Sequence, residues 1–164
     1  MNVIGTIKKG VDKVLEWFCI LILAVMTALV TYQVITRYFF NAPSEFSQAL
    51  AQYLFVWLVM FGSAYVFGLR EHMNIAFIRN KLPTKARIYV EILGEALIAF
   101  FAVVVMLVGG YSGAMKQMIQ RDATLPVSVG VIYSSIPICG WIIVFYFIYN
   151  VMNLIKELKS VHEN

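Results

Sequence analysis

Four stretches of this chain, residues 17–36, 46–69, 96–115 and 123–155, contain no Asp, Glu, Lys or Arg. A helix that crosses a bilayer needs about 20 consecutive, mainly apolar residues, and each stretch is at least that long. Together they claim most of the 164 residues. The expected fold is therefore an all-α integral membrane protein, a single membrane domain with transmembrane helices at about 17–38, 46–69, 89–115 and 127–152. Charged residues make up 13% of the chain, against about 25% in soluble domains. No soluble domain remains in which to house an enzyme.

The placement of charge gives an orientation. Lys8, Lys9 and Lys13 precede the first run, Arg70, Arg79, Lys81, Lys85 and Arg87 lie between the second and third, and Lys156 and Lys159 follow the fourth. Arg37, Lys116 and Arg121 are the basic residues of the opposite face. Cytoplasmic loops carry the excess of Lys and Arg, so both termini are expected in the cytoplasm. The net charge of +4 fits this topology better than a nucleic-acid partner.

Spans one and two form a tight hairpin. In Asn41-Ala42-Pro43-Ser44-Glu45, Pro43 fixes its own φ and moves Ala42 out of the α region. Ser44 is placed to cap the next helix, with Glu45 in its first turn facing the positive end of the dipole. Helices joined this closely must lie antiparallel and side by side.

Two further segments have amphipathic spacing. In residues 1–16, Ile4, Ile7, Val11, Val14 and Leu15 alternate with Lys8, Lys9, Asp12, Lys13 and Glu16. This predicts an arm lying in the cytoplasmic interface; a plain extension of span one fits the same residues, and either makes Trp17 an interfacial aromatic. Residues 73–82 predict a second surface helix, stopped at Leu82-Pro83, with Thr84 placed to cap span three.

Polar residues within the spans are few. Thr27 and Thr31 share a face, and each can bond its own backbone. Gln48 and Gln52 share a face of span two; hydration at interface depth accounts for Gln48, whereas Gln52 fits hydration and a protein contact equally. Glu95, at the edge of the third run, is expected to pair with Arg87, Arg70 or a partner chain rather than carry protons. Gly109 and Gly113 have the G-x-x-x-G spacing that permits close helix contact, and Pro137 is expected to kink or loosen span four.

Motifs for chemistry are missing from the sequence. His72 and His162, the only histidines, lie outside the spans, which leaves a haem without axial ligands in the bundle. No C-x-x-C, H-E-x-x-H, P-loop or nucleophile-elbow pattern occurs. Cys19 and Cys139 sit in apolar runs and read as buried hydrophobes. The sequence predicts no catalytic, cofactor or metal residues, and so a subunit rather than an enzyme.

Arg37-Tyr38-x-x-Asn41-x-Pro43, then Tyr53-Leu54-Phe55-Val56-Trp57, Gly62, a basic patch with His72, and Leu82-Pro83 resemble the small membrane subunit (DctQ type) of tripartite ATP-independent periplasmic (TRAP) transporters. Leu125-Pro126-x-Ser128-x-Gly130-x-x-Tyr133-x-x-Ile136-Pro137 is similar to that family's fourth-span region. The family often has a Trp and two acidic residues at the start of span two, where this chain has Phe46, Gln48 and Ala49. The resemblance implies a non-catalytic scaffold in the bacterial inner membrane, packed against a large (M-type) subunit that moves an organic acid, a sialic acid or C4-dicarboxylate, with a sodium gradient. A periplasmic substrate-binding protein delivers the acid. Arg37, Asn41, Gln52, Trp57, Gly62 and Glu95 are then candidates for the partner interface, and Arg79, Lys81, Lys85 and Arg87 for phospholipid headgroups. The alternative is an autonomous small transporter or channel working as a homo-oligomer, for which Gln52 and the Thr27/Thr31 face are the available polar material. A membrane anchor for a redox enzyme is a third reading.

Overall fold

A computed structural model describes residues 3–42, 44–69 and 84–162. The elements are α1 (Val3–Phe39), α2 (Glu45–Gly68), α3 (Thr84–Phe101), a π-helical stretch (Ala102–Gly109), α4 (Gly110–Gln117), α5 (Gly130–Tyr133) and α6 (Ser135–His162). Four helical segments are long and apolar enough to cross a membrane: Ile4–Phe39, Glu45–Gly68, Ala86–Gln117 and Gly130–Lys159. The all-α, four-span membrane fold is as expected. The 73–82 surface helix lies outside the described residues.

α1 runs unbroken through residues 3–39, so the amphipathic segment and the first span are one helix. Its far end closes on the hairpin. Asn41 takes a left-handed conformation (φ 48°), which an Asn tolerates better than most residues. The Ala42 N–H then donates back to the Thr36 carbonyl at 3.1 Å. Ser44 caps α2 in extended geometry, its hydroxyl accepting from the Ser47 N–H at 3.4 Å.

α6 is the central element. Cys139, Ile143, Tyr146, Asn150 and Leu154 are all buried and recur every three or four residues, one face of a helix. Against that face pack α2, α3 and the π-helical stretch. α1 packs mainly on α2, through Phe18 against Trp57 and Phe61; Trp57 and Phe61 stack with ring centroids 5.4 Å apart. Most of the α1 surface stays outside the bundle, with Trp17, Leu21 and Leu23 more than half exposed. Lipid-facing helices have no cause to bury such residues in protein.

Spans three and four depart from plain α-helix. The π-helical stretch contains Val103-Val104-Val105, stiff at χ1 and weak α formers, and it meets the start of α6. The expected irregularity at Pro137 takes the form of a break one turn earlier. α5 ends at Tyr133 and α6 begins at Ser135, which puts Pro137 in a first turn, where its missing N–H costs nothing. Among the described residues the Gly109/Gly113 pair makes no close helix contact: a Cβ on Gly113 would meet nothing within 4 Å. Gly110 is the close approach, where a Cβ would lie 2.7 Å from Ile136 Cγ2.

Candidate functional site

Each end of the bundle has its own polar groups. At the hairpin end, Gln33, Arg37 and Tyr38 of α1 and Ser44 and Gln48 at the head of α2 line a small polar pocket of about 240 Å³. Beside it the chain between spans three and four folds over α2. Val129 N–H donates to the Gln120 carbonyl (2.9 Å) and Asp122 N–H to the Val127 carbonyl (3.1 Å), with Arg121 and Ser128 paired as an antiparallel bridge. Asp122 organises this loop. One carboxylate oxygen accepts from the Thr124 and Leu125 N–H groups at 2.8 and 2.9 Å, and the other accepts from the Tyr53 hydroxyl of α2. The Tyr53 hydroxyl, followed by the two backbone donors, holds the Asp122 carboxyl below its ordinary pKa, because all three bond the ionised form.

The loop also closes one wall of an apolar groove of about 530 Å³, whose other walls come from α1 (Phe18 to Val25) and α2 (Phe46 to Trp57), with Leu125, Pro126 and Val127 across them. Its return to span four depends on Gly130, where a Cβ would lie 2.7 Å from both the Ala114 carbonyl oxygen and the Met118 nitrogen. Only a residue without a side chain lets these backbones meet.

At the terminal end the polar groups tie helices together. Glu95 and Asn150 are each 1% exposed, and the Asn150 amide donates to Glu95 Oε1 at 2.9 Å. The Tyr146 hydroxyl donates to Asp12 at 2.7 Å, and Asp12 pairs with Lys8 at 2.6 Å. Lys8 Nζ also sits 5.9 and 6.0 Å from the Tyr146 and Tyr149 ring centroids, within cation–π range. The Tyr146 ring fills the space above Gly68, where a Cβ would come within 2.5 Å of it. Arg87 meets Glu157 at 2.7 Å and Glu91 at 3.5 Å, joining α3 to the end of α6.

The sequence candidates divide accordingly. Glu95 belongs to the interior: its carboxylate bonds α6 of its own chain, so it presents no surface to a partner subunit. Arg87 is engaged by two carboxylates of its own chain, which weakens its assignment to headgroups. Trp57 is half-buried in the aromatic stack, and Asn41 serves the hairpin backbone while staying exposed. Arg37 and Gln52 are exposed, and Gly62 faces open space. Arg79 and Lys81 lie outside the described residues, as does the Lys85 side chain. Asn150, Asp12, Tyr146 and Asp122 were not singled out by sequence. A usable signal existed for Asn150, a carboxamide inside an apolar run and four residues from Tyr146. Among the described residues no group of three or more His, Cys, Asp and Glu is placed to hold a metal ion, and Cys19 and Cys139 are free thiols.

These features define a small multi-pass helical membrane protein in which a buried carboxylate and a buried carboxamide, Glu95 and Asn150, connect one helix to another. Residues 26–157 match the family described as tripartite ATP-independent periplasmic transporters, DctQ component, and the chain belongs to that family of transporter components. It is 31% identical over 157 residues to the sialic acid TRAP transporter small permease protein SiaQ of Vibrio cholerae, an alignment covering 94% of this chain and 89% of that protein. A putative TRAP transporter small permease protein of Haemophilus influenzae is 34% identical over 101 residues, 62% of this chain and 58% of its own length. The sialic acid TRAP transporter permease protein SiaT of Haemophilus influenzae is 25% identical over 140 residues, 85% of this chain but 23% of that protein.

Proposed function

We propose that this chain is a non-catalytic scaffold that holds the large permease subunit of a TRAP transporter in the bacterial inner membrane. The observation that carries the reading is the pair of alignments to SiaQ and SiaT. One relative is a small permease protein of nearly the same extent. In the other, a stretch like this chain makes up 23% of a longer permease polypeptide. A stretch covalently joined to a permease is held beside it; a separate chain must reach the same arrangement through its own surface. The internal ties among α1, α3 and α6 support a rigid frame against which a transport domain moves.

In this reading both termini are cytoplasmic, which the excess of Lys and Arg in the terminal segments and the 70–87 link supports. Arg79, Lys81 and Lys85 hold anionic phospholipid headgroups. Arg37, Asn41, Gln52, Trp57 and Gly62 face or border the large subunit, and the hairpin-end loops help seat the periplasmic binding protein. The cargo is an organic acid of the sialic acid or C4-dicarboxylate class, imported with sodium. The SiaQ and SiaT names favour a sialic acid.

The test is expression with and without the large subunit, followed by uptake in proteoliposomes. The expected result is a stable one-to-one pair. Uptake of the labelled acid should require that pair, the binding protein and an inward sodium gradient. Uptake by this chain alone would overturn the scaffold reading in favour of an autonomous transporter.

A further inference from the structure

The outward face of α2 carries a carboxamide at lipid depth. Its inward face is marked by buried Ser47, Phe61, Ala64, Phe67 and Gly68. At about 100° per residue, Gln48, Gln52, Val59 and Ser63 fall within an arc of about 60° on the opposite side, and all four are exposed. Gln52 lies about 10 Å along the axis from Glu45, well inside the uncharged run 46–69. Lipid tails offer a carboxamide nothing to bond.

The threonines of α1 do not pose this problem. Thr27, Thr31 and Thr36 of α1 donate to carbonyls of their own helix at 2.8, 2.8 and 3.0 Å. Gln52 and Ser63 make no such bond among the described residues. Next to the stripe, a Cβ on Gly62 would meet nothing within 4 Å, which leaves room for another helix to approach closely. At the head of the stripe Gln48 joins Gln33 and Arg37 around the polar pocket, and the Gln33 amide nitrogen is itself buried without a hydrogen-bond partner. Polar side chains thus run from the hairpin end along one side of α2, from Gln48 through Gln52 to Ser63.

We propose that this face of α2 is the seam that seats a transmembrane helix of the large permease subunit, with Gln52 hydrogen-bonding a polar group of that helix. The inference rests on the scaffold reading and goes further by naming the surface. The occupant must carry polar groups at membrane depth, which excludes lipid. A protein helix meets that requirement, and the SiaT alignment, in which a stretch like this chain is part of a longer permease, favours the large subunit over a second copy.

The test is photo-crosslinking in the co-expressed complex. A photoreactive residue replaces Gln52, Val59 or Ser63 on the seam, or Leu97 or Val104, exposed on span three. The expected result is crosslinking to the large subunit from the three α2 positions and not from span three. Crosslinks only from Leu97 or Val104, or between two copies of this chain, would overturn the seam and leave the scaffold reading standing. Failure of the unaltered chain to recover the large subunit at all would sink both. Gln52→Leu, at an exposed position, is expected to lower recovery of the large subunit about threefold, the scale of one interhelical hydrogen bond in a membrane. Recovery unchanged by that substitution would remove the role given to Gln52.

Discussion

Gly68, Gly130, Gly62 and Gly113 are the same residue in three different situations, and only the packing tells them apart. A methyl group on Gly130 would meet backbone atoms of span three, which cannot rotate away; on Gly68 it would meet the ring of Tyr146, buried and hydrogen-bonded to Asp12. Overpacking of this kind costs about 1–3 kcal/mol. Gly130→Ala and Gly68→Ala are therefore expected to lower the thermal unfolding midpoint of the purified protein, Gly130→Ala more. Gly62→Ala and Gly113→Ala should leave it nearly unchanged, since no described residue would meet a Cβ at either position. Equal midpoints across the four variants would mean the close approaches are wrong. The Glu95–Asn150 bond is the other residue-scale test. Asn150→Ala removes a donor from a buried carboxylate, and losing one partner of a buried polar pair costs about 1–3 kcal/mol. Asn150→Ala is therefore expected to lower the same thermal midpoint, and an unchanged midpoint would remove the stabilising role given to this bond. None of these contrasts was legible in the sequence. Glycine spacing at Gly109 and Gly113 pointed to a contact that the chain makes at Gly110 instead, because spacing fixes a helix face but not which neighbour that face meets. Glu95 stands at the edge of its apolar run in the sequence, where pairing with Arg87, Arg70 or a partner chain is expected; its bond to Asn150 depends on the rotation of α6.

At the scale of elements, the hairpin and the 118–129 loop show how far local chemistry goes. Pro43, Ser44 and Glu45 specify a turn and a capped helix start through effects confined to a few residues, so the hairpin was legible. The loop is held by Asp122 reaching Tyr53, 69 residues away in sequence, and no local pattern announces that contact. The span-three widening at Ala102–Gly109 escaped for the same reason: the valine run weakens the α-helix locally, but the packing partner comes from α6. The loop's attachment carries a pH dependence of definite sign. The Asp122 carboxyl has a lowered pKa in the folded protein, so its ionised form is the bonded one. Its stabilising effect is complete above the ordinary Asp range, near 3.9, and is lost as pH falls through the lowered folded value. Limited proteolysis should find residues 118–129 resistant at neutral pH and increasingly cut by an acid protease as pH drops below that range. Asp122→Asn should be cut at every pH tested. If the wild-type loop and the Asn variant were cut equally at neutral pH, Asp122 would not be what holds the loop down.

For the whole molecule, the uncharged runs settled the number of spans because the bilayer tests each run separately: twenty or so apolar residues suffice, whatever the helices later do to one another. Which way the bundle faces is also a one-dimensional property, since it depends on how many Lys and Arg flank each run. An even number of spans places both termini on one side, and the terminal segments and the 70–87 link hold ten of the thirteen Lys and Arg residues. The positive-inside rule then predicts Arg121 and Asn41 outside and Lys9 and Lys159 in the cytoplasm. Single cysteines at these four positions, in a background lacking Cys19 and Cys139, make the arrangement measurable with a membrane-impermeant thiol reagent. Arg121→Cys and Asn41→Cys should label in intact spheroplasts, and Lys9→Cys and Lys159→Cys only after the membrane is opened. The reverse pattern would turn the Asp122 loop toward the cytoplasm. There it would be unavailable to a periplasmic binding protein, and the docking role proposed for the hairpin end would fail with it.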